Sequence, residues 1–400
     1  MNSPAKPKIL VVCRTFLPKE GGIEEYVYNR CLQDPQQVIV LTAAQPDDRA
    51  FDANQPFSIH RWPQISLPFL GPFNSLLKQL INLVYSLLMA LWIYGRDRYQ
   101  AIEWGHGYDF PSLLILSYLL PVKCFLYLHG NDLLCPLKNP LFKAGFQWTL
   151  SRCDGIVCNS QFTKDYLHQH FTLTTPTYVI NPAVRPSKFG LATGQTVSGE
   201  ICRSLRQHYH IPETALVILS VGRLVPRKGF DRVIMALPSL LAAGLDVHYL
   251  ICGRGRIQSE LQALAQDIDM ADRVHFAGFV PDRELAHYYA TCDLFSLLTY
   301  FDHQNASIEG FGIVYVEASY FGKPILASRI GGVADAVKHG ETGWLVNPES
   351  GQEINQALLT LCRDQALRER LGKRGREIAC HPSPHRQIYQ SPIEQFQEAV

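Results

Sequence analysis

Apolar runs of five or six residues recur along the chain, and most are followed by a stretch with helical periodicity. The first run, Lys8-Ile-Leu-Val-Val-Cys13, shows no polar alternation and so predicts a strand buried on both faces. Similar runs lie at 37–42, 57–62, 99–104, 123–128, 154–158 and 177–181. Helical stretches begin at about Ile23 and lie at 74–95, 109–120, 138–152 and 160–170. Strand–helix alternation predicts a parallel sheet with helices on both faces. The segment Asn181 to Gly199, rich in Pro, Gly, Ser and Thr, interrupts the pattern and predicts a linker. After a helical patch at 200–209 the alternation restarts. Strands are predicted at 215–221, 246–252, 273–278, 293–297 and 324–328, with helices at 229–243, 257–268, 282–291, 313–321 and 352–363. The tail, 365–400, predicts two or three helices. The expected fold class is α/β: two doubly wound parallel-sheet domains, 1–185 and 212–385, joined by a linker at 186–211 and facing a cleft. In such sheets ligands bind outside the carboxyl ends of the strands, so chemistry is expected just after strands.

One helical stretch is unusually apolar. From Leu76 to Tyr94 only Lys78, Gln79 and Asn82 interrupt the first half. About a dozen near-continuous apolar residues favour a buried or interfacial helix over a spanning one. A core helix is the first expectation. The second is peripheral docking on a membrane through an apolar face flanked by Lys78, Arg96 and Arg98.

Composition narrows the classes. Hydrophobic residues make up 47% and charged residues 18% of 400, enough for large cores. A net charge of +1 argues against binding nucleic acid along the chain. The 11 cysteines are odd in number and form no Cys-x-x-Cys, which predicts reduced thiols and a cytoplasmic protein. The N-terminus lacks the apolar region of a signal peptide.

The richest chemistry lies in Asn305-Ala-Ser-Ile-Glu-Gly-Phe-Gly-Ile-Val-Tyr-Val-Glu-Ala-Ser319. Glu309 stands among glycines, in Glu309-Gly310-Phe311-Gly312, and Glu317 follows on a predicted helix, with seven residues between the two acids. Glycines before a helix leave its first N–H groups open to an anion. The carboxylates could form an acid/base pair or bind hydroxyls of a ligand held by its phosphate. After strand 215–221 comes Gly222-Arg-Leu-Val-Pro-Arg-Lys-Gly229, whose Arg223, Arg227 and Lys228 could stabilise a leaving diphosphate. After strand 246–252 comes Gly253-Arg-Gly-Arg256, and after 273–278 comes Gly278-Phe279-Val280. These turns could line one edge of a nucleotide pocket. The first domain offers Gly21-Gly22 before a helix, suited to a phosphate, and His129-Gly130 after strand 123–128, suited to a sugar hydroxyl. The pair Asp267-Ile-Asp269 falls in a predicted helix, where residues two apart do not share a face, so it reads as surface. The chain contains no zinc spacing, Walker A loop or Gly-x-Ser-x-Gly elbow. No metal ligands are assigned.

In this order these pieces resemble glycosyltransferase family 4, retaining enzymes of the GT-B fold with two Rossmann-like domains. The spelling Gly222-Arg-Leu-Val-Pro-Arg-Lys-Gly229 with Glu309-Gly-Phe-Gly-Ile-Val-Tyr-Val-Glu317 looks nearest to the branch of bacterial phosphatidylinositol mannosyltransferases. The resemblance implies no tightly bound cofactor and a nucleotide diphosphate sugar, GDP- or UDP-linked, as donor. It implies a lipid or saccharide acceptor, with metal-independent front-face transfer assisted by the donor phosphate. Arg223 and Lys228 would bind the diphosphate, helped by Gly21, Gly22 and the helix opening at Gly310, Phe311, Gly312 and Ile313. Glu317 would hold ribose hydroxyls, Glu309 and His129 the transferred sugar, and Gly253 with Gly278, Phe279 and Val280 would flank the base. Catalytic weight falls on His129, Glu309, Arg223 and Lys228. In the family a last helix crosses back onto the first domain, and here that is expected at about 386–400. The chain departs from the family pattern at Asn181-Pro-Ala-Val184, at the loop 299–305 and at Cys380-His-Pro-Ser-Pro-His385. The other classes to be distinguished are a GT-B sugar-nucleotide epimerase and a non-catalytic nucleotide-sugar-binding protein.

Overall fold

The computed structural model describes residues 7–64, 73–192, 194–303, 307–381 and 388. The chain divides into two compact units, Met1–Asn181 with Ser383–Val400, and Pro182–Pro382.

Among the described residues the first unit has seven strands. They are β1 (Ile9–Cys13), β2 (Val38–Ala43), β3 (Ser58–Trp62), β4 (Ala101–Trp104), β5 (Lys123–Leu128), β6 (Gly155–Cys158) and β7 (Thr177–Val179). All pair in parallel, in the order β3-β2-β1-β4-β5-β6-β7. Strand alternation splits β1 between two cores. Leu10 and Val12 face the side covered by the helices Phe73–Asp97, Phe110–Leu119 and Pro140–Arg152. Ile9, Val11 and Cys13 face the side covered by the helix Gly22–Cys31. A buried ion pair pins that helix to the sheet: Arg30 Nη2 lies 2.7 Å from Glu103 Oε1 on β4, and Tyr127 donates to Glu103 Oε2 at 2.9 Å. Losing either charge would strand its partner in the core, at a cost of about 3–5 kcal/mol.

The second unit has six strands among the described residues: β8 (Leu216–Val221), β9 (Val247–Cys252), β10 (Val274–Gly278), β11 (Leu294–Leu297), β12 (Ile325–Ser328) and β13 (Gly343–Val346). Their order is β10-β9-β8-β11-β12-β13, again parallel. Strand order reverses beside β1 and beside β8, so each sheet has one switch point, where open sheets bind ligands.

Several expectations need adjustment. Residues 186–211 are not a free linker but part of the second unit, with a 3₁₀ turn at Pro186–Phe189 and a helix at Gly199–His208. Phe189 explains the docking: its ring is buried 5.1 Å from Phe321 and 6.1 Å from Tyr289. Strand β13 was not expected, because four residues bounded by a glycine carry little periodic signal. Asp267 ends its helix and Asp269 lies beyond it with φ +56°, so the pair straddles a helix end. The apolar helix Phe73–Asp97 packs on the core along one side only, through Ala90 and Ile93, and 17% of its most apolar window is buried. All eleven cysteines are free thiols. Residues 304–306, and the expected helix 386–400 apart from residue 388, lie outside the described residues. Ile388 itself is buried in the β1 core of the first unit.

Candidate functional site

The second unit gathers the expected residues along the carboxyl edge of its sheet. Backbone hydrogen bonds join the loops after β8, β9 and β10. Gly222 N donates to Cys252 O at 2.9 Å, Leu224 N to Arg254 O at 3.0 Å, and Gly253 N to Gly278 O at 2.7 Å. At the outer end Val280 is buried, while Phe279 is exposed beneath the Arg254 guanidinium, 5.8 Å from its ring centre.

The loop after β8 turns through Pro226–Lys228 and closes at Gly229, with φ +67°. A Cβ on Gly229 would lie 1.9 Å from the Leu298 carbonyl oxygen, so only glycine permits both the turn and the approach. That approach brings the loop against the segment after β11, where Tyr300 N donates to Arg227 O at 2.9 Å. Arg227 and Lys228 thereby reach Glu309. Lys228 Nζ lies 2.6 Å from Glu309 Oε2, and Arg227 Nη1 lies 3.1 Å from the same oxygen. Burial pulls the Glu309 pKa upward, but Lys228 and Arg227 outweigh it and hold the carboxyl below its usual value. Burial lowers the Lys228 pKa; Glu309 partly restores it, while Arg227 and Arg223 lower it further. Arg223 itself is exposed, with no ion pair among the described residues.

After Glu309, Gly310 and Phe311 are buried, and Gly312 caps the helix Ile313–Tyr320 with φ +89°. No side chain caps this helix, and a Cβ at Gly312 would sit 2.4 Å from the Tyr315 ring. Glu317 lies on the buried side of the helix. Its Oε1 is 2.6 Å from Lys188 Nζ, and its Oε2 accepts from the Tyr289 hydroxyl at 2.8 Å. Burial and the neighbouring carboxylate raise the Tyr289 pKa well above the usual range, keeping it a neutral donor. Lys188 also lies 3.3 Å from Asp282. The two glutamates therefore address separate partners: Arg227 and Lys228 for Glu309, Lys188 and Tyr289 for Glu317.

In the first unit His129 directly follows β5, buried, with the Tyr26 ring edge-on at 5.3 Å. Its Nε2 lies 2.8 Å from Gly105 O, and its backbone N donates to Asp132 Oδ1 at 2.9 Å. A carbonyl only accepts, so Nε2 carries the hydrogen and Nδ1 is left as an acceptor. Gly21 caps the helix Gly22–Cys31, as the phosphate expectation requires. However, Glu24 folds back over that end, its Oε2 lying 2.2 Å from where a Gly21 Cβ would be. A phosphate at Gly22 would have to displace this carboxylate.

Arg227, a candidate cation in the sequence, joins Lys228 at Glu309. Three further side chains are not marked by sequence pattern as site members. Lys188 and Tyr289 are placed only by the packing of Phe189. The third, His106, lies between two glycines just after β4, in Gly105-His106-Gly107. His106 Nε2 accepts from Arg14 N at 2.9 Å, while Arg14 grips Asp109 with two guanidinium nitrogens. Burial lowers the His106 pKa, and its Nδ1 has no partner among the described residues. Among those residues no group of three His, Cys, Asp or Glu is placed to hold a metal ion.

Residues 203–378 match the family model for glycosyl transferases group 1, and residues 20–188 match that for Glycosyltransferase Family 4. The chain is 27% identical, over 387 residues and 93% of both chains, to a GDP-mannose-dependent monoacylated alpha-(1-6)-phosphatidylinositol monomannoside mannosyltransferase of Corynebacterium glutamicum. Over 173 residues, 43% of this chain and 45% of the relative, it is 35% identical to a GDP-mannose-dependent alpha-(1-6)-phosphatidylinositol monomannoside mannosyltransferase of Mycobacterium tuberculosis. Among solved structures, HepE of Anabaena in complex with UDP and glucose superposes with a TM-score of 0.75 at 21% identity, covering 98% of this chain and 100% of that one. Sucrose-phosphate synthase from Thermosynechococcus elongatus gives a TM-score of 0.77 at 20% identity, covering 98% and 99%.

Proposed function

We propose a specific reaction for this chain, which belongs to glycosyltransferase family 4, has the GT-B fold and is a hexosyltransferase. It moves a hexosyl group, with retention of anomeric configuration, from a nucleotide diphosphate sugar of the GDP-mannose or UDP-glucose type to a lipid or saccharide acceptor. The observation that carries this reading is the largely buried cluster of Arg227, Lys228 and Glu309 at the carboxyl edge of the second sheet.

An incoming diphosphate exchanges with Glu309 for Lys228 and Arg227, and Arg223 adds a third cation from solvent. The freed Glu309 carboxylate then accepts hydroxyl hydrogens of the sugar. Glu317, fixed by Lys188 and Tyr289, accepts from the ribose hydroxyls. Gly253 and Gly278–Val280 flank the base, and the amides opening at Gly312 and Ile313 face the phosphates. His129 offers Nδ1 to a sugar hydroxyl. As the bond from the anomeric carbon to the diphosphate breaks, the acceptor oxygen attacks from the same face. Its proton passes to the leaving phosphate oxygen. The cations stabilise the charge that develops on the diphosphate, so the reaction needs no divalent ion. The enzyme works in the cytoplasm, peripherally on the inner face of the membrane. Support for that placement comes from the apolar, mostly unburied helix Phe73–Asp97.

Mass spectrometry of products from a panel of UDP- and GDP-sugars, with lipid and soluble acceptors, tests the proposal. The expected result is a mass gain of one hexose on an acceptor, lost in Lys228→Ala. An epimerised donor in the absence of acceptor, or binding without turnover across the panel, would contradict it.

A further inference from the structure

We propose that a polar cavity at the carboxyl edge of the first sheet binds the phosphate ester of a sugar or polyol. The cavity measures about 260 Å³. Its lining includes Arg14 and Thr15 after β1, Gln64 after β3, and Lys78, Gln79 and Asn82 of the helix Phe73–Asp97. Arg14 spans the switch point of the sheet, since it follows β1 and bonds His106 and Asp109 after β4. Open parallel sheets take their ligands at that point. On the hexosyl-transfer reading, on which this role rests, the ester is the acceptor.

The cavity gives a reason for one feature of the sequence. The helix Phe73–Asp97 is apolar through most of its length, and Lys78, Gln79 and Asn82 interrupt it within about one turn. Residues three and four apart share a helix face, so 79 and 78 both neighbour 82. All three side chains line the cavity. Asn82 is also oriented: Trp62 Nε1 donates to its Oδ1 at 2.9 Å, which leaves the NH2 group of the carboxamide as the donor.

Charge and donor count select the ligand. Arg14 and Lys78 are the charged residues of the described lining, and none of that lining is acidic. Asp109 stands outside the lining and grips Arg14 through Nε, at 3.0 Å, and Nη2. Counting it, two cations minus one anion leave +1. The guanidinium is fixed further by Tyr108, 5.8 Å from the ring centre, and Nη1 keeps its hydrogens for a ligand. His106 adds a donor beside Arg14. Burial favours its neutral form, and its Nε2 accepts from Arg14 N at 2.9 Å. The ring hydrogen is therefore on Nδ1, which is buried without a partner among the described residues. Two cations, three carboxamides and the Thr15 hydroxyl call for a ligand rich in acceptor oxygens. A phosphate answers the cations, and the hydroxyls of a sugar or polyol answer the carboxamides. The volume lies below the range of about 300–1,000 Å³ usual for drug-sized ligands, which suits a small polar headgroup.

Isothermal titration calorimetry on the full-length protein, with no donor present, tests the site. It compares glucose 6-phosphate with glucose, and monomeric dihexanoyl phosphatidylglycerol with glycerol. A phosphate ester should bind where its phosphate-free counterpart does not. The tighter of the two esters identifies the source, a soluble sugar phosphate or a lipid headgroup. Lys78→Met, at an exposed position, should weaken that binding by about tenfold or more. So should Arg14→Met made together with Asp109→Asn, a pairing that leaves no buried charge without its partner. Lys228→Ala should leave the binding unchanged, because that cation belongs to the second unit. Failure of both esters to bind, binding that ignores the first-unit variants, or binding lost in Lys228→Ala would each overturn the proposal. Such a failure would leave hexosyl transfer standing, and an absence of transfer in the product panel would leave the binding result standing.

Discussion

The carboxyl edges of the two sheets are stocked with different chemistry. In the second unit largely buried cations already hold carboxylates: Lys228 and Arg227 grip Glu309, and Lys188 grips Glu317. In the first unit imidazoles are held by backbone, His129 by Gly105 O and His106 by Arg14 N. The contrast teaches what each edge can recognise. Prepairing spares each charge the penalty of being buried alone, and the pairs can exchange for a ligand that brings its own charge and hydroxyls. An imidazole with one open nitrogen discriminates by orientation, which suits uncharged hydroxyls. Changes in the second unit should therefore cost more than changes in the first.

The largest effect is expected for Lys228→Ala: a fall in kcat/KM of about 10²–10³-fold, with the thermal midpoint close to wild type. Steady-state kinetics alongside a melt decide this, and near-normal turnover in a folded variant would remove the charge argument. Next, Lys188→Met should raise the donor KM about tenfold with little change in kcat, because a positioning residue acts through Glu317 on ground-state binding. With a 2′,3′-dideoxyribose donor that penalty should vanish; if it persists, Lys188 serves only structure. His129→Gln should lower kcat by about tenfold or less, since it removes one neutral hydrogen bond. A loss matching that of Lys228→Ala would break the comparison between the two edges.

The smallest effect concerns pH. Burial, with His248, His210 and Arg273 nearby, lowers His275 to about 4 from its ordinary 6.5. In that window the unfolded chain binds the proton and the fold does not. Stability is therefore whole above pH 6.5 and is lost as pH falls toward 4. Thermal midpoints should drop between pH 7.5 and 5, and drop less in His275→Asn.

Much of this was legible in the sequence. Apolar runs such as Lys8–Cys13 mark strands buried on both faces, because parallel sheets leave no polar side. Glycines after strands mark the edge where Lys228 reaches Glu309. The missed features depend on distant partners. Lys188 lies in a Pro- and Ser-rich stretch that reads as a linker, and only the packing of Phe189 on Tyr289 and Phe321 brings it to Glu317. Glu24 covers the helix end at Gly21 through a side-chain rotamer, which no local pattern specifies. Glu103 breaks an apolar strand because Arg30, 73 positions earlier, neutralises it.

The central claim is that fixed cations let the donor's own phosphate carry out a front-face transfer. The most direct test is the anomeric configuration of the product, read by NMR from one-bond C1–H1 coupling in a reaction run with an α-linked donor and a chelator. The account predicts turnover under chelation and an α-linked product. A β-linked product, or no product until a divalent ion is restored, would contradict it.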